Sequence, residues 1–321
     1  MPEVDRSLQH LQDIPDLRIL HETPLSQYTR FAIGGPASMY IETASAAAFL
    51  EALRAARQSG LPVAVIGSGT NLIVSDAGFG GVVLRFTAKQ ICIRGMEVHV
   101  EAGADLQTLV DRTIEAGLKG METLTGIPGS VGAAIYGNAG AYGHSISERV
   151  TAVSFHDGEE NRVLLNAECE FRYRESVFKR RKDWIVFSAE LALRPADPDE
   201  LRKIAADIRK IRDQKYPPTL KCAGSIFKNL ILAELPQAVR ATVPERVVRE
   251  GKVPSAYFLE QVGAKGMSQG DIRVADYHAN LIYNAGQGSA RDLRKIIGEL
   301  KARVQYRFGL ELEEEVQYVG F

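Results

Sequence analysis

The glycine-rich segment from Gly120 to His144, GMETLTGIPGSVGAAIYGNAGAYGH, is the feature that most restricts the fold of this chain. Its glycines and other small residues suit neither a helix nor a regular strand, because glycine allows positive φ and close approach of backbone amides. Pro128 fixes one turn of the segment. Backbone N–H groups arranged in this way can bind phosphate without any lysine. The segment therefore predicts a loop that lies against a large ligand.

A second glycine loop, IGSGTN from Ile66 to Asn71, follows the apolar run Val63 to Ile66. A strand that ends in such a loop brings further amide donors to the same ligand, and two separate loops fit a dinucleotide better than a mononucleotide. Glycines also serve ordinary turns and close packing, and for either loop alone that alternative is equally good. The two loops together favour ligand binding.

The second loop does not match the nicotinamide fingerprint GxGxxG. Gly67 and Gly69 are present, but the third position is Leu72 and a strand-like segment follows in place of a helix. A Rossmann fold is therefore disfavoured.

Composition narrows the possible partners. The chain has 321 residues, of which 45% are hydrophobic and 25% charged, so it can bury a full core and form two or three domains. A net charge of -1 gives no general reason to expect nucleic acid or an anionic membrane as a partner. No apolar run approaches the roughly 20 residues of a membrane span, and the start MPEVDRSLQH has no signal-like apolar core. We expect a cytoplasmic protein.

A protein-bound metal is not expected. The cysteines Cys92, Cys169 and Cys222 are odd in number and widely spaced, which predicts reduced thiols instead of disulfides or a CxxC site. The histidines lack HxxxH or HExxH spacing, and the carboxylates lack a calcium-loop pattern. Redox chemistry would therefore need an organic cofactor.

Hydrophobic periodicity predicts a mixture of helices and strands along the chain. The predicted helices are Ser45 to Gln58, a helix capped by Asp105, Asp197 to Arg212, with Leu201, Ile204, Ala205, Ile208 and Ile211 in one stripe, and Ala290 to Arg307. The predicted strands are Val63 to Ile66, Gly81 to Phe86, Ile91 to Glu101, TAVSFHDG, NRVLLN, DWIVFSAELAL and the acidic LELEEEVQYVG. The segment QKYPPTLKCAG is expected to be extended and to mark a domain boundary near Tyr216.

Three polar residues lie in contexts that suggest chemistry. Arg174, in FRYRESVFK, has aromatic neighbours and suits a bidentate hold on a carboxylate, although stacking of a surface arginine on tyrosine is an equal alternative. Ser225, in CAGSIFKN, either donates a proton or caps a helix, and nothing nearby resembles a hydrolase elbow. Glu315 ends an acidic triplet in which alternation makes one buried carboxyl plausible, although such clusters are more often solvated.

The chain resembles the UDP-N-acetylenolpyruvoylglucosamine reductase family, flavoenzymes of bacterial peptidoglycan precursor synthesis. The resemblance covers nearly the whole chain, in the order and spacing of that family. The matching motifs are FAIGGPA, IGSGTNLIVSD, GIPGSVGAAIYGNAGAYG, YRESVFK, AGSIFKN, FLEQVGAKG, HANLIYNAG and EEEVQYVG.

This resemblance implies an α+β fold with a vanillyl-alcohol-oxidase/PCMH-type FAD-binding region of two subdomains and a smaller α+β substrate-binding domain. The implied boundaries are residues 1–62 and 63–215 for the two FAD-binding subdomains and residues 216–321 for the substrate domain, whose last strand can return to the active site.

The resemblance also implies a cycle in which NADPH reduces a non-covalently bound FAD, leaves, and is replaced by the enolpyruvyl UDP-sugar. By motif the catalytic arginine, serine and glutamate are Arg174, Ser225 and Glu315. The implied cofactor contacts are Ile66, Gly67, Ser68, Gly69, Thr70, Asn71, Leu72, Gly126, Ile127, Pro128, Gly129, Ser130, Gly132, Ala133, Asn138 and Gly140. The implied substrate contacts are Lys215, Asn229, Glu260, His278 and Asn280. The expected partners are the UDP-sugar and NADPH, without nucleic acid or membrane, and the protein is expected to be a monomer.

Two departures from the family pattern bear on the substrate loops. Leu230 replaces the proline that commonly follows the KN pair, which leaves the path of that loop open. The short YGHSIS segment lacks a longer insertion found in one branch, so the chain resembles the short-loop (type II) branch. Two other functions remain as alternatives: an FAD-dependent oxidase of alcohols or sugars on the same scaffold, and a non-catalytic nucleotide-binding module.

Overall fold

The computed structural model describes residues 8 and 10–321. The prediction about a leader at the start of the chain falls mainly on residues 1–7 and 9, which lie outside the described residues. The helices are α1 (Ala46–Gln58), α2 (Leu106–Glu115), α3 (Val131–Tyr136), α4 (Val177–Arg180), α5 (Pro198–Lys215), α6 (Gln237–Arg240), α7 (Ser255–Gln261) and α8 (Ala290–Phe308). Short 3₁₀ helices span His10–Asp13, Leu25–Tyr28, Glu122–Leu124, Ile146–Glu148, Asn166–Cys169, Leu232–Glu234 and Glu245–Val247.

The strands form several sheets. They are β1 (Arg18–Pro24), β2 (Pro36–Thr43), β3 (Val63–Ile66), β4 (Leu72–Val74), β5 (Phe79–Phe86), β6 (Ile91–Arg94), β7 (Glu97–Glu101), β8 (Leu118–Lys119), β9 (Gly140–Ala141), β10 (His144–Ser145), β11 (Val150–His156), β12 (Asn161–Leu165), β13 (Ile185–Ala192), β14 (Arg194–Pro195), β15 (Lys221–Ser225), β16 (Leu230–Ile231), β17 (Lys252–Val253), β18 (Ser268–Gln269), β19 (Ile272–Ala275), β20 (His278–Asn284) and β21 (Gln317–Val319).

The chain divides into two compact units. The first comprises the residues up to Thr23, Ala37–Ser68 and Gly80–Gln214, and the second comprises Pro24–Pro36, Gly69–Phe79 and Lys215–Phe321. The expected three-part division at residues 62 and 215 stays a prediction.

The first unit is built around two larger sheets. One has the strand order β1-β2-β5-β3, with β3 parallel to β5, and the other is antiparallel with the order β12-β11-β13-β7-β6. Helix α1 packs against the first sheet. Its Phe49 and Leu53 are buried in one core with Leu84 of β5. The Ser45 side chain caps this helix by accepting from the Ala48 amide. The helix predicted from Ser45 to Gln58 is confirmed.

One predicted strand of the first unit is wrong. Ile91 to Glu101 forms two antiparallel strands, β6 and β7, in which Arg94 pairs with Glu97. Gly95 lies between them with φ of 60°, a left-handed conformation that lets the chain reverse in a tight turn. The apolar alternation continues across the turn, which is why periodicity alone did not reveal it.

The glycine-rich segment also differs from its prediction, because it contains the short helix α3 (Val131–Tyr136). The Ser130 side chain caps the helix by accepting from the Ala133 amide, and Val131 and Ile135 bury its apolar side. Small residues at Gly132 and Ala133 therefore belong to the first turn of a helix and not to an irregular loop.

Helix α5 is confirmed but begins and ends slightly later than predicted, at Pro198 and Lys215. It therefore includes the first residues of the segment that was expected to be extended. Leu201 and Ala205 are buried, whereas Ile204 and Ile211 are exposed, so only part of the predicted apolar stripe lies in the core.

The second unit is built around the antiparallel sheet β15-β20-β19-β18. Phe258 of α7 and Leu293 and Leu300 of α8 pack in its core with Ile282 of β20. The acidic C-terminal segment was predicted as one strand, but only Gln317–Val319 forms β21, which pairs in parallel with β4. Glu314 forms an isolated bridge with Phe227.

Candidate active site

Within the first unit the two predicted glycine loops touch each other. A Cβ atom added at Gly67 would lie 2.8 Å from Ser130 Oγ and 3.2 Å from Ala133 Cβ. The first contact is shorter than real Cβ atoms make and the second is unusually tight, so a larger residue at Gly67 would force Ser130 or Ala133 to shift where the IGSGTN loop passes the N-terminal turn of α3. The predicted convergence of these loops is therefore present in the structure.

Some glycines of the long segment serve packing within the protein. The Gly132 amide donates to the Ala102 carbonyl at 2.8 Å, and a Cβ atom there would lie 2.8 Å from Ala102 Cβ. A Cβ atom at Gly140 would lie 2.4 Å from the His144 carbonyl oxygen. For these two positions, ordinary close packing explains the glycine. By contrast, Gly126 and Gly129 are required by their positive φ angles of 77° and 128°.

The end of the shorter loop belongs to the second unit. Gly69 has φ of 68°, and a Cβ atom there would lie 1.7 Å from the Tyr28 carbonyl oxygen. The Arg30 amide donates to the Gly69 carbonyl at 3.2 Å, and the Asn71 side chain donates to the Glu315 carbonyl at 2.9 Å. The Asn71 side chain therefore holds the backbone of Glu315, a predicted catalytic residue. The predicted contact of Asn71 with the cofactor is left to its backbone.

Arg174 lies at the tip of a two-residue turn in the first unit. Arg172 and Glu175 flank the turn and exchange backbone hydrogen bonds of 3.0 and 3.1 Å. Arg174 has φ of 58°, a conformation that costs a non-glycine residue about 1–2 kcal/mol and that often marks a functional position. Its guanidinium lies 5.2 Å from the centroid of the Tyr173 ring, so the aromatic contact predicted as an alternative is present.

Two hydrogen bonds tie this arginine turn to the glycine-rich segment. The Asn138 amide nitrogen donates to the Arg172 carbonyl at 2.8 Å, and Ser176 Oγ donates to the Tyr136 carbonyl at 2.8 Å. The Asn138 side chain also accepts from the Ser147 amide. Asn138 is only 6% exposed, its side chain links parts of the protein, and its backbone N–H donates to the Ile135 carbonyl at 3.1 Å, so its cofactor contact stays a prediction. Arg174 is thereby held at a defined place beside α3.

Ser225 is the last residue of β15 in the second unit, where it pairs with Leu281 of β20. The register shifts between Cys222 and Ser225, and Gly224 has φ of 78° at this irregularity. Ser225 therefore ends a strand and does not cap a helix, which removes one of the two predicted roles. Its hydroxyl oxygen lies 2.8 Å from the Tyr216 hydroxyl oxygen.

The backbone of Glu315 lies against the residue that follows Ser225. The Glu315 amide donates to the Ile226 carbonyl at 2.7 Å, and the Lys228 amide donates to the Glu313 carbonyl at 2.9 Å. Glu315 is partly buried, whereas the Glu313 side chain is exposed and forms an ion pair with Lys228. The structure thus brings two of the three predicted catalytic residues together in the second unit, while Arg174 belongs to the first.

The predicted substrate contacts differ in how much of each side chain remains available. The Glu260 carboxylate is exposed and lies 2.9 Å from Lys265 Nζ, Lys215 is exposed, and Asn229 Oδ1 accepts from the Ser255 amide. Asn280 is only 2% exposed, and its amide nitrogen donates to the Phe227 carbonyl and to Ser255 Oγ, both at 2.8 Å. These bonds use both hydrogens of the Asn280 side-chain amide, so its contact with the substrate stays a prediction.

His278 is buried, and its ring nitrogens lie beside other protein groups. Nε2 lies 3.3 Å from the Tyr216 hydroxyl oxygen, and Nδ1 lies 3.4 Å from the backbone nitrogen of Asn280. Burial, with smaller contributions from the positive charges of Lys215 and Lys265, lowers the pKa of His278 to about 3. The imidazole is therefore neutral near pH 7.

Other classes of site were searched for in the part of the chain that the structure describes. Over residues 8 and 10–321, no group of histidine, cysteine and carboxylate side chains could hold a metal ion. In the same range, no helix is both long and apolar enough to cross a membrane. Cys92, Cys169 and Cys222 are free thiols.

Similarity to known proteins connects these features. Residues 37–163 match the model of an FAD binding domain, and residues 216–319 match the C-terminal domain of UDP-N-acetylenolpyruvoylglucosamine reductase. The reductase of Solibacter usitatus (strain Ellin6076) is 62% identical over 97% of this chain and 99% of its own length.

The chain belongs to the UDP-N-acetylenolpyruvoylglucosamine reductase family. The reductase of Carboxydothermus hydrogenoformans is 35% identical over 94% of each chain. A crystal structure of the Thermus caldophilus reductase is 27% identical and has a TM-score of 0.74, covering 95% of this chain and 99% of that one. The expected α+β fold with an FAD-binding region and a smaller second domain is confirmed.

The residues of this reductase-family chain fit the diphosphate of FAD. The match to the FAD binding domain contains both glycine loops. Thr125 Oγ1 is buried and has no hydrogen-bond partner within the described residues, and it directly precedes Gly126. Hydroxyl and backbone N–H donors are the groups that bind an acceptor-rich diphosphate. The predicted cofactor contacts in the glycine-rich segment began at Gly126 and did not include Thr125, because no sequence pattern marks a buried hydroxyl without a partner.

The two departures from the family pattern have structural outcomes. Leu230 lies in the short strand β16, where it pairs with Val253 of β17. The YGHSIS segment begins with a tight hairpin in which β9 and β10 flank Tyr142 and Gly143, with φ angles of 52° and 83°. Positive φ at both central residues is the signature of a type I′ turn, which needs no longer insertion to reverse the chain.

Proposed function

We propose that the chain catalyses the NADPH-dependent reduction of UDP-N-acetylglucosamine enolpyruvate to UDP-N-acetylmuramate, with non-covalently bound FAD, in peptidoglycan precursor synthesis. The observation that carries this proposal is that Ser225 and Glu315, the donor residues expected for this reaction, lie on directly hydrogen-bonded segments in a chain of this family. Bound FAD supplies a hydride taken from NADPH, which becomes attached to one vinyl carbon of the substrate. The residues of the chain then manage the resulting charge and the proton.

The glycine loops are proposed to hold the FAD diphosphate. Ser68, Thr70 and Ser130 offer hydroxyl groups, and Thr125 Oγ1 is buried without a partner in the described structure. The backbone N–H groups of Gly67, Ser68, Gly69 and Gly129 are proposed to complete the site. The amides of Gly126, Ile127, Gly132, Ala133 and Asn138 donate to other protein groups, and Pro128 has no N–H, so the cofactor contacts of these residues stay predictions. An anion surrounded by such fixed dipoles needs no lysine beside it.

Arg174 is proposed to hold the substrate carboxylate. Hydride addition leaves carbanion character on the carbon next to this carboxylate, and a guanidinium stabilises the charge that spreads into it. The hydrogen bonds from Asn138 and Ser176 hold the arginine turn in place before substrate arrives. Little reorganisation is therefore needed as the charge develops.

Ser225 and Glu315 are proposed to act on the same developing enolate. The Ser225 hydroxyl donates a proton to the carbanion carbon, and the Glu315 carboxyl hydrogen-bonds to the carboxylate side of the enolate. Removing one donor aimed at such charge typically costs about 3–4 kcal/mol, or roughly a thousandfold in rate.

The outer parts of the UDP-sugar are proposed to contact Lys215, Asn229 and Glu260, which keep polar atoms at or near the surface. His278 and Asn280 remain candidates for contacts through their neighbours. We further propose that the enzyme acts as a cytoplasmic monomer that does not bind nucleic acid. Sedimentation of the purified holoenzyme at working concentrations tests the monomer, and a dimer would contradict it.

The decisive experiment follows the flavin colour in two anaerobic steps. NADPH should bleach the holoenzyme, and the enolpyruvyl UDP-sugar should restore its yellow colour. An FAD-dependent oxidase of alcohols or sugars would be bleached by its alcohol and would not respond to the enolpyruvyl compound. A non-catalytic nucleotide-binding module would carry no flavin spectrum after purification. Either of these results would reject the proposed function.

A further inference from the structure

Three side chains form a row that the reaction as described leaves unexplained. The Tyr216 hydroxyl oxygen lies 2.8 Å from Ser225 Oγ and 3.3 Å from His278 Nε2. All three residues belong to the second unit and come from separate segments: Tyr216 directly follows α5, Ser225 ends β15 and His278 begins β20. A serine hydroxyl is a weak acid, so a proton donor of this kind needs a neighbour that replaces its proton.

The direction of hydrogen bonding along this row is fixed at its His278 end. The backbone N–H of Asn280 can only donate, and its nitrogen lies 3.4 Å from His278 Nδ1, so Nδ1 is the acceptor. In a neutral imidazole the hydrogen is then on Nε2. The low pKa of His278, which burial produces, keeps the ring in this neutral form.

The Nε2–H group therefore donates to the Tyr216 oxygen, and the Tyr216 O–H group is left to donate to Ser225 Oγ. Since the Ser225 oxygen accepts this bond, its own hydrogen points away from Tyr216. We propose that Tyr216, oriented by His278, is a positioning residue that directs the Ser225 hydroxyl at the substrate and replaces the proton that Ser225 gives up.

The proton balance of this step closes without a further reactant. A C–H bond forms at the carbanion carbon as the Ser225 O–H bond breaks, and the Ser225 O–H bond reforms as the Tyr216 O–H bond breaks. The resulting tyrosinate is stabilised by the His278 Nε2–H group and by Lys215, whose Nζ lies 5.2 Å from the Tyr216 ring centroid. Tyr216 is partly exposed, so water returns its proton after product leaves.

A purely structural explanation of the row is weaker. Strands β15 and β20 are already joined by backbone pairing, with Lys221 opposite Asn284, Cys222 opposite Tyr283 and Ser225 opposite Leu281. The sheet therefore does not need the Tyr216 hydroxyl for its register. A phenolic hydroxyl is also more acidic than an aliphatic one, so a tyrosine is well suited to replace the proton of a serine.

The inference rests on the proposed function and is tested by Tyr216→Phe, which keeps the ring and removes the hydroxyl. In the holoenzyme, flavin reduction by NADPH should stay within about twofold of wild type, while reoxidation by the enolpyruvyl UDP-sugar should slow about 100-fold. Tyr257→Phe is the matched control, because the Tyr257 hydroxyl also donates within the second unit, to the Thr242 carbonyl at 3.3 Å. This control should reoxidise at the wild-type rate.

Two further measurements separate proton replacement from a structural effect. The nitrogen-15 signal of His278 Nε2 in resting holoenzyme should shift in Tyr216→Phe and not in Tyr257→Phe. Fluorotyrosine at position 216, which keeps the shape but makes the hydroxyl more acidic, should change the reoxidation rate and leave flavin reduction unchanged. This second test applies even if Tyr216→Phe fails to fold.

The possible outcomes test the role of Tyr216 separately from the proposed reductase activity. If wild-type enzyme is not reoxidised by the enolpyruvyl UDP-sugar, the proposed function fails. If wild type is reoxidised and Tyr216→Phe reacts at the same rate, the role of Tyr216 is overturned while the function stands. A rate that does not respond to fluorotyrosine overturns proton replacement in the same way.

Discussion

The residues proposed to act in catalysis and cofactor binding lie in two contrasting kinds of structure, one in each unit. In the first unit, the contact between the glycine loops is made by the absence of side chains, since a Cβ atom at Gly67 would lie 2.8 Å from Ser130 Oγ. In the second unit, Ser225, Tyr216 and His278 are arranged by side-chain hydrogen bonds. The first region is thus sensitive to added atoms and the second to removed ones. Binding of a large cofactor and delivery of one proton place these different demands on the same chain.

The largest expected effect comes from removing an atom in the second region. Ser225→Ala should slow reoxidation of the reduced flavin by substrate about a thousandfold, because the proton donor is lost, while flavin reduction by NADPH stays nearly unchanged. Stopped-flow absorbance of each half-reaction measures both rates. An equal loss of rate in the two half-reactions would contradict the proton-donor role. The two regions would then not serve separate steps.

Arg174 sharpens the comparison, because it is a side-chain group held on a strained backbone in the first unit. Arg174→Gly should lower the rate of reoxidation by substrate about 100-fold, since the charge on the carboxylate loses its partner. Folding stability should be equal or higher by about 1 kcal/mol, because glycine adopts φ of 58° without strain.

The matched control for this pair of effects is Glu170→Gly. Glu170 also has positive φ, 49°, in the first unit, and no chemical role is proposed for it. It should retain full activity in the same assay, and thermal unfolding compares the two variants. Loss of stability in Arg174→Gly with no loss of rate would reverse our interpretation of the turn.

Adding atoms in the first region should act through cofactor retention. Gly67→Val places branched carbon atoms against Ser130 and Ala133, and overpacking of this kind costs about 3 kcal/mol. The purified variant should carry less FAD, as shown by the ratio of flavin to protein absorbance. Gly80→Ala is the control, since a Cβ atom there has no neighbour within 4 Å. Equal FAD content in the two variants would show that the loop contact is not needed.

The smallest expected effect is a pH dependence of stability. The folded state keeps His278 neutral down to a pKa of about 3, whereas the unfolded chain protonates it below about pH 6.5. The unfolded chain therefore gains protons as the pH falls, and wild type should lose about 2 kcal/mol between about pH 7.5 and pH 5 that His278→Gln does not lose. Denaturant unfolding at the two pH values measures this difference. His21→Gln, at an exposed histidine, should behave as wild type.

Local signals predicted several elements well. The caps at Ser45 and Asp105 announce α1 and α2, because a short polar side chain before an apolar period satisfies the first helix amides. The family motifs predicted the FAD-binding fold and brought attention to Arg174, Ser225 and Glu315. The structure then showed that Ser225 and Glu315 are neighbours through the Ile226 carbonyl.

What the sequence could not predict depends on contacts between distant segments. The hydrogen bond between Tyr216 and His278 joins residues 62 positions apart, and no periodicity pairs them. The Thr125 hydroxyl has no partner among residues 8 and 10–321 because of its buried surroundings, and no sequence pattern marks it. The turn at Gly95 and the helix α3 were missed because glycine and alanine are compatible with several local structures.

The parallel pairing of β21 with β4 has a consequence for synthesis of the protein. The Asn71 side chain and the Glu315 carbonyl that it holds are 244 positions apart, so this part of the second unit cannot close until translation has nearly reached the C-terminus. On the ribosome, the segment Gly69–Phe79 emerges long before its strand partner exists. A nascent chain released before Glu315 would therefore lack both this closure and the Glu315 carboxyl, and it would expose an unpaired strand edge to chaperones and proteases.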